Sequence, residues 1–409
     1  MVKVLRIAVV LAPVVACGVH SPSVQSDIDT TFPSHTGQCP RGIAAIETDY
    51  QSTNVSLWSP KVEPARPSFI SSGSHAPGAS AAFSGDVVLP SEPPRSGKVV
   101  LIDRYPNSTI TWIDTNGGNV EAQLSVATGF GSNPHDYIEV DAHRAYVSRF
   151  ESNSAAGRVP FDSGGDVLIV DTDKHAIVGN IPLATSSDGQ YQPRADRFVR
   201  FGRRIGIGLQ RLNASFTQAE NSMFVVIDPT NDAIVARIDL GLAACGVGVV
   251  SPSASVIAFA CGGMITGNTA IERSGIALVD VSSNVPKLVR TIGTADMPAA
   301  MARSIGSVAF VSEEQVVITA IGSRSTPGDV IVRYHLEAKM AQVVTTSKKY
   351  FVLGGILCDT ACEHICVAPN AERNVLMRWS IEDGGTLNEL GEKALPSGIG
   401  LPPRSVNFF

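Results

Sequence analysis

One hairpin-like pattern that recurs at a fixed interval constrains this fold more than any other feature. It is clearest at 224–240, where a short apolar strand ends in an Asp/Pro/Asn turn and an alternating strand follows. Asp114, Asp171 and Asp228 hold the same place in three successive copies, each 57 residues after the last. A single hairpin cannot bury its own faces, so copies at this period must stack or surround an axis.

Strand-like segments can be followed along the rest of the chain. Short apolar runs separated by turn residues form six groups of four predicted strands between residues 81 and 390, beginning with a strand at 81–89. The sixth group begins with a strand at 351–358. Three more predicted strands precede the first group, and one, 405–409, follows the last.

Joining the three early strands to the final one completes a seventh group, and closed propellers usually seal their rings in this way. The sequence therefore predicts an all-β fold: a seven-bladed β-propeller of four-stranded antiparallel blades, closed by the N- and C-terminal strands. The propeller domain is predicted at 39–409. A pair of β-sandwiches or a solenoid would be the alternatives. Four strands over about 50 to 57 residues fit a blade better, because solenoid coils are usually shorter.

The third copy of the pattern resembles a known repeat. The segment at 226–238, VIDPTNDAIVARI, is similar to the YVTN-type β-propeller repeat. Residues 145–149, AYVSR, lie where that family carries its namesake motif, with Arg149 departing from the usual final residue. The similarity covers residues 98–292. The resemblance implies an exported, seven-bladed propeller used mostly for binding or surface roles, and it brings no catalytic set with it.

The N-terminus carries the features of an export signal. A basic head precedes an apolar run at 7–16 that is too short for a transmembrane helix, and Cys17 follows a Val-Val-Ala sequence typical of a bacterial lipobox. We predict a lipoprotein signal peptide at 1–16, a lipidated Cys17 and a flexible tether over 17–38. Ordinary cleavage just before Cys17 is the alternative. A lipid anchor would make the membrane a partner and place the protein in the cell envelope, at the outer membrane.

Composition and motifs narrow the function classes. The net charge is −6, only 17% of the residues are charged and no basic run occurs, so nucleic acid is not an expected partner. The chain has no Gly-x-Ser-x-Gly, no His-Glu-x-x-His and no phosphate-binding glycine loop followed by Lys. We therefore expect no catalytic residues, no bound metal and no cofactor.

Six cysteines lie beyond the predicted lipidation site, and an even number in an exported chain predicts disulfides. Cys245 and Cys261 flank a turn symmetrically, so a hairpin places them opposite one another. The other four predict one disulfide within the 358–366 cluster and one that reaches the N-terminal end of the propeller, which ring closure brings near the last blade. These four are Cys39, Cys358, Cys362 and Cys366. A zinc site of three thiolates and His364 is the alternative.

A proline followed by a cationic or titratable residue precedes several of the predicted innermost strands. Innermost strands line the axis of a propeller, so their first residues surround one mouth of the central channel. The sequence predicts a positive rim there that holds an anionic group such as a carboxylate or phosphate. The members of this rim are His135, Arg194, Arg303 and Arg404. Alternatively, each pairs locally with a carboxylate such as Asp136 or Asp196, or faces solvent.

These observations favour a membrane-anchored lipoprotein whose non-catalytic propeller acts as a binding scaffold. Its expected partner is a protein, a glycan or a small anionic ligand. A second hypothesis is a propeller hydrolase or lactonase with an axial metal site, which would need carboxylate and Asn ligands converging on the axis. A third is electron transfer with a partner subunit.

Overall fold

The fold is that of a seven-bladed β-propeller. In the computed structural model, the described residues contain seven four-stranded antiparallel sheets and two short 3₁₀ turns but no α-helix. They include no helix of the length and apolarity that a membrane crossing requires. The predicted signal peptide, Cys17 and the tether lie outside the described part. The described residues are 39–74, 76–185, 189–263, 271–298, 301–396, 398 and 400–409.

Blade 1 takes its fourth strand from the C-terminus, and the other blades are continuous in sequence. The strands of blades 1 to 3 are β1 (Ile43–Thr48), β2 (Thr53–Trp58) and β3 (Pro64–Ser71); β4 (Val87–Val88), β5 (Val99–Asp103), β6 (Thr109–Ile113) and β7 (Val120–Ser125); and β8 (Pro134–Glu139), β9 (Arg144–Arg149), β10 (Asp166–Asp171) and β11 (Ala176–Pro182).

A two-stranded ribbon, β12 (Tyr191–Gln192) with β15 (Leu212–Asn213), joins the segments on either side of the first two strands of blade 4. The remaining strands are β13 (Ala195–Phe201), β14 (Arg204–Leu209), β16 (Met223–Asp228) and β17 (Ala233–Asp239); β18 (Cys245–Val250), β19 (Val256–Cys261), β20 (Gly275–Asp280) and β21 (Lys287–Gly293); β22 (Ser304–Phe310), β23 (Gln315–Ile321), β24 (Val330–His335) and β25 (Met340–Thr346); and β26 (Leu357–Asp359), β27 (Ile365–Asn370), β28 (Val375–Glu382), β29 (Thr386–Ala394) and β30 (Pro403–Phe408).

The two ends of the chain close the ring, as predicted. Strand β30 pairs with β1 in antiparallel register, with Phe408 opposite Ile43 and Pro403 opposite Glu47. The blade order β3-β2-β1-β30 makes β30 the innermost strand of blade 1. Closure therefore gives blade 1 four strands, like the other blades.

The innermost strands define two faces of the ring. They are β30, β4, β8, β13, β18, β22 and β26. Because propeller blades repeat by rotation about one axis, these strands all run in the same direction. We call the face where they begin the entrance face, and the opposite face the exit face. The entrance face also carries the turn between the second and third strands of every blade.

The core lies between neighbouring blades, because each sheet is covered on both faces. All five residues of β5 are buried, and the first four, 99–102, form a continuous apolar run instead of an alternating one. Between blades 4 and 5, the Phe224 and Phe259 rings pack with their centroids 4.9 Å apart. Full burial of one such ring stabilises the fold by about 2–3 kcal/mol.

Outer strands share a feature that the sequence did not reveal. In blades 2 to 7, one extra residue of the outermost strand bulges opposite the third strand. A bulge bends the edge of a sheet and interrupts its ladder, so it hinders pairing with another sheet. The bulged residues are Glu121, Val178, Val235, Val289, Val344 and Leu390.

Two innermost strands are much shorter than predicted. The strand predicted at 81–89 is reduced to β4, and the one predicted at 351–358 is reduced to β26 and an isolated bridge at Leu353. In the second case the carboxylate of Asp329 accepts the backbone N–H groups of 351–353 at 2.8 to 3.1 Å, so these groups are withdrawn from the sheet. For these N–H groups, a side-chain carboxylate has replaced the backbone carbonyls of a neighbouring strand as the hydrogen-bond acceptor.

The cysteines form three disulfides. Cys245 is joined to Cys261 and Cys358 to Cys366, each across two paired strands, while Cys39 is joined to Cys362. The first pairing and the link between the cluster and the N-terminal end were both expected from the sequence. All three thiols of the alternative zinc site are therefore engaged in disulfides.

The disulfide that spans the chain should contribute more stability than the local one. Cys39 and Cys362 are 323 residues apart, whereas Cys358 and Cys366 are 8 apart. A longer cross-linked loop removes more entropy from the unfolded chain. We expect Cys39→Ser/Cys362→Ser to lower the free energy of unfolding by about 5 kcal/mol and Cys358→Ser/Cys366→Ser by about 3 kcal/mol. Urea unfolding without reductant measures both, and an equal loss in the two variants would contradict this ranking.

Candidate functional site

The axial channel is filled by a segment of the chain itself. After β4, residues 89–96 leave blade 2 and contact the innermost strands of three other blades. The Leu89 carbonyl accepts a hydrogen bond from Arg197 Nη1 of blade 4 at 2.7 Å, and the Pro90 carbonyl accepts one from Asn407 of blade 1. Blades 1 and 4 both reach residues 89–96, so the segment crosses the axis. We call it the channel plug.

Charged side chains hold the part of the channel plug that lies nearer the exit face. Glu92 accepts hydrogen bonds from the Arg200 backbone N–H at 2.7 Å and from its Nε at 3.1 Å. Glu139 accepts from the Ser96 N–H at 2.7 Å and from its hydroxyl at 2.6 Å. Burial and the nearby charge of Arg200 lower the pKa of Arg95. Because the channel is filled, any ligand must be sought on a face.

The part of the channel plug that lies nearer the entrance face is hydrogen-bonded to a buried carboxylate. Asp136 Oδ1 accepts hydrogen bonds from the Ser91 and Tyr137 N–H groups at 2.8 and 2.9 Å, and Oδ2 accepts one from Phe198. Arg197 Nη1 lies 3.7 Å from this carboxyl group. Burial nevertheless raises the pKa of Asp136 to about 6. A carboxyl so enclosed joins the plug to blades 3 and 4 and is not exposed to a ligand.

The four residues of the predicted rim all stand at or just before the start of innermost strands on the entrance face. His135 and Arg194 lie on either side of Phe150, with the His135 and Phe150 rings stacked at 4.1 Å and the Arg194 guanidinium 5.2 Å from the ring centre. Arg303 Nε donates to the Gly328 carbonyl at 3.2 Å, and Arg404 Nη1 donates to the Phe351 carbonyl at 2.7 Å. The structure thus brings two of the four together.

Arg194 and His135 each contact a nearby carboxylate. Arg194 is buried and forms an ion pair with Glu151, and His135 contacts the carboxylate of Asp196. These are the local pairs that the alternative interpretation of the rim described. Binding of an anion by the four residues as a set stays a prediction.

His135 and Asp196 form a dyad at the channel mouth. The His135 Nδ1 and Asp196 Oδ1 atoms are 2.8 Å apart, and Gln210 donates to Asp196 Oδ2 at 2.6 Å. Gly246 makes room for this carboxylate, because a Cβ at that position would overlap Asp196 Oδ2. The absence of a side chain on β18 therefore helps to position the dyad.

The dyad has the electrostatics of a general base. Burial alone would raise the pKa of Asp196, but the hydrogen bond from His135, with the charge of Arg197 and the hydrogen bond from Gln210, lowers that pKa below its usual range. Burial lowers the pKa of His135 in spite of Asp196. The ring is therefore neutral near pH 7 and donates through Nδ1. No hydrogen bond from the described residues engages His135 Nε2.

Beside the dyad, side chains form a layered column. The Phe216 and Phe150 rings are nearly parallel, with an interplanar angle of 8° and centroids 6.3 Å apart. The Arg194 guanidinium lies over both, 4.1 Å from the Phe216 centre. His135 continues the column on the far side of Phe150. Stacked in this way, Phe216 covers Arg194 and presents its own outer surface to solvent.

Exposed aromatic side chains are concentrated on the entrance face. Among the described residues, every strongly exposed aromatic side chain lies in a connection on this face, whereas most exposed aliphatic side chains lie on the outer strands. Aromatic rings in solvent are unfavourable unless they meet a partner. The rings, with their exposed fractions, are Tyr50 (63%), Tyr105 (69%), Phe216 (43%), Tyr350 (38%) and Phe351 (53%).

Three of these aromatic residues also have a left-handed backbone. The φ angles of Tyr50, Phe216 and Phe351 are 68°, 58° and 58°. This conformation costs roughly 1–2 kcal/mol for a residue with a side chain, and Gly or Asn usually occupies it. Val62 adopts φ 60° too, but its side chain is completely buried and gains packing energy. The exposed rings gain little such energy, so the fold alone does not account for them.

The channel plug and the aromatic residues were missed by the sequence analysis. The plug carries one available signal, since Pro90, Pro93 and Pro94 remove backbone donors and do not suit an inner strand. Tyr50 lies between Asp49 and Gln51 in a turn, a place where an aromatic residue is unusual. An aromatic side chain at a turn position would have been the sign to follow.

The described residues offer no ready metal site. Nowhere in them do three or more His, Cys, Asp or Glu side chains stand close enough together to hold a metal ion. The hypothesis of an axial metal therefore has no set of ligands in this part of the chain. The channel plug occupies the place where such ligands would converge.

No family model and no curated protein matches this chain. Solved structures do match its fold. A provisionally named 6-phosphogluconolactonase from Bacteroides fragilis superposes with a TM-score of 0.56 at 9% identity, over 92% of this chain and 99% of that one. A second protein with that provisional name, from Bacteroides uniformis, gives 0.55 at 13%, over 90% and 100%.

The β-propeller domain of Cps50 (Swd1) from Myceliophteria thermophila gives a TM-score of 0.54 at 12% identity, over 84% of this chain and 98% of that domain. At such identities the likeness establishes the propeller class and nothing finer. Within the propeller class, this protein is distinguished by the channel plug, the His135–Asp196 dyad and the exposed aromatic side chains of its entrance face.

The His135 ring should stay neutral to unusually low pH. Its folded-state pKa lies below the ordinary value of about 6.5 because burial disfavours the imidazolium. The unfolded chain takes up this proton first, so the contribution of His135 to stability falls as pH drops below 6.5. NMR titration of the ring should give a lowered pKa, and Asp196→Asn should lower it further. An ordinary pKa in the native protein would contradict the buried dyad.

Proposed function

We propose that this protein is an exported, lipid-anchored propeller of the YVTN type that binds a ligand on its entrance face without catalysing a reaction. The observation that carries this proposal is the set of exposed aromatic rings on left-handed backbone, Tyr50, Phe216 and Phe351. These rings bury only part of their surface in the fold, as Phe216 does over Arg194, and they remain 43 to 63% exposed. Their open surface serves a contact with another molecule.

The point where the described chain begins supports an outward orientation of this face. Cys39 is tied by its disulfide to Cys362, which lies in the turn between β26 and β27 on the exit face. The Arg41 N–H donates to the carbonyl of Phe409, just past the exit end of β30. A lipidated Cys17 and its tether would hold the exit face toward the membrane, within a root-mean-square reach of roughly 25 Å. The entrance face would then be presented to its ligand.

Replacing the three aromatic residues separates binding from folding. We expect Tyr50→Asn/Phe216→Asn/Phe351→Asn to keep or raise the melting temperature, because Asn tolerates the left-handed backbone. The same variant should lose binding to an array of immobilised oligosaccharides and peptides.

Val178→Ser/Val235→Ser is the matched control, because it removes similarly exposed apolar side chains from outer strands, where no ligand contact is proposed. It should leave binding on the array unchanged. A wild-type protein that binds nothing on the array, or a triple variant that binds as well as wild type, would refute the proposed function.

The dyad favours a second candidate, a hydrolase of esters or lactones. In this scheme His135 Nε2 removes a proton from water as it attacks the carbonyl, while Asp196 holds the imidazole through Nδ1. The charge of Arg104 lies near enough to lower the pKa of His135 and could stabilise the oxyanion. The two Bacteroides proteins of the same fold bear a provisional lactonase name, which raises interest in this reaction.

A direct assay decides between the two candidates. If the hydrolase hypothesis is right, the protein hydrolyses δ-lactones or p-nitrophenyl esters, and His135→Asn lowers kcat by about 10²–10⁴-fold. Gly246→Ala should lower kcat as well, because its Cβ displaces Asp196. His143→Asn is the control, since that exposed histidine pairs with Asp173 on the exit face. Equal rates in wild type and His135→Asn would eliminate the hypothesis.

A further inference from the structure

We propose that the part of the entrance face between blades 7 and 1 binds an acidic oligosaccharide, with a uronate carboxylate on its cations and a sugar ring on its aromatic residues. This inference rests on the proposed function and names the ligand class for one region of that site. We call the region the acidic-sugar subsite. Its residues are Tyr50, Lys348, Lys349, Tyr350, Phe351 and Arg404.

Three separate segments bring the subsite together. Tyr50 comes from the turn between β1 and β2, Arg404 from the start of β30, and Tyr350 with Phe351 from the connection between blades 6 and 7. The Arg404 guanidinium lies 5.2 Å from the Tyr50 ring centre and donates to the Phe351 carbonyl at 2.7 Å. The Tyr350 and Phe351 rings meet edge to face at 5.7 Å. Arg404 thus links the two aromatic segments.

The cations of the subsite lack the carboxylate partners that several other arginines on this face possess. Arg104, Arg194 and Arg211 each form an ion pair with a carboxylate. In the described part of the chain, no carboxylate lies within ion-pairing distance of Lys348, Lys349 or Arg404. Lys348 and Lys349 are exposed and Arg404 is half-buried, so a carboxylate of a ligand can contact these side chains directly.

Three carboxylates lie near the subsite and are engaged by backbone N–H groups, Asp329 by those of 351–353. Glu372 accepts a hydrogen bond from the Lys348 backbone N–H at 2.9 Å. Asp49 accepts from the N–H groups of Gln51 and Ser52, each at 2.9 Å, and these bonds lower its pKa. These carboxylates accept backbone N–H groups, and none of them forms an ion pair with the side chain of Lys348, Lys349 or Arg404. The three cationic side chains therefore stay available for direct contact with a carboxylate of the ligand.

A sugar acid matches this combination better than the other anionic ligands. The Tyr50 and Phe351 rings are exposed plates, and the apolar C–H face of a pyranose stacks on a plate, whereas a peptide side chain needs a pocket. A guanidinium offers paired donors that match a carboxylate. An anionic lipid surface fits poorly, because the described chain begins at Cys39 on the opposite face. We therefore commit to an oligosaccharide that carries uronate groups.

Calorimetry with uronate hexamers tests the inference. The probes are hexamers of galacturonate, glucuronate and mannuronate, with fully methyl-esterified galacturonate hexamer and a neutral galactose hexamer as comparisons. We expect at least one acidic hexamer to bind, and its affinity to fall at least tenfold on esterification. Arg404→Gln and Lys348→Gln/Lys349→Gln should each weaken binding about tenfold, and added salt should weaken it too because the contact is electrostatic.

The double variant of Tyr50 and Phe351, which we call the plate variant, tests whether these rings act only through the stability of the fold. Tyr50→Asn/Phe351→Asn should abolish binding of the acidic hexamer while the melting temperature holds or rises. Lys174→Gln, which removes an exposed lysine from an exit-face turn, should change nothing. If the plate variant binds as tightly as wild type, or if no acidic hexamer binds to wild type, the inference is wrong.

The outcomes separate this inference from the proposed function. Neutral and acidic hexamers that bind equally well, with loss in the plate variant, would leave the aromatic binding face standing and overturn the acidic-sugar subsite. Poly-glutamate that binds more tightly than every uronate hexamer would show an acidic peptide to be the ligand, which also overturns the subsite. An array on which wild type binds nothing would remove the proposed function itself.

Discussion

The rest of this structure depends on the pairing of the last strand with the first. Through the ladder between β30 and β1, the first and last strands of the chain share one sheet, and blade 1 has four strands like the others. Seven sheets can then be buried on both faces, which is why residues 99–102 of β5 are all apolar. The same closure places Cys39 beside the last blade and Arg404 at the beginning of an innermost strand. Cys39 and the entrance face thereby lie on opposite sides of one ring.

Strand number and closure could be predicted because they depend on local composition. The turn aspartates at Asp114, Asp171 and Asp228 repeat at a fixed spacing, and that spacing corresponds to one blade. The innermost strands were predicted less well, because long-range contacts decide them. Asp329 draws the backbone of 351–353 out of its sheet, and Arg200 holds Glu92 across the channel. Neither contact leaves a periodic trace in the sequence.

The candidate site was predicted in position and only partly in chemistry. Innermost strands do begin at one face, so residues just before them lie around one mouth. Whether a cation there is available depends on its neighbours, and the sequence does not reveal that Glu151 reaches Arg194 or that Asp196 reaches His135. The exposed rings escaped notice for a different reason. Their significance lies in backbone angles, and a sequence does not display the sign of φ.

The bulges on the outer strands have a consequence for crowding. Each of six blades interrupts its outermost ladder with one extra residue, so no blade offers a straight row of free peptide groups along the circumference. Molecules confined to one surface meet edge to edge far more often than molecules in dilute solution. For any protein confined to a surface, an irregular perimeter of this kind hinders the outer strands of neighbouring molecules from pairing into a continuous sheet.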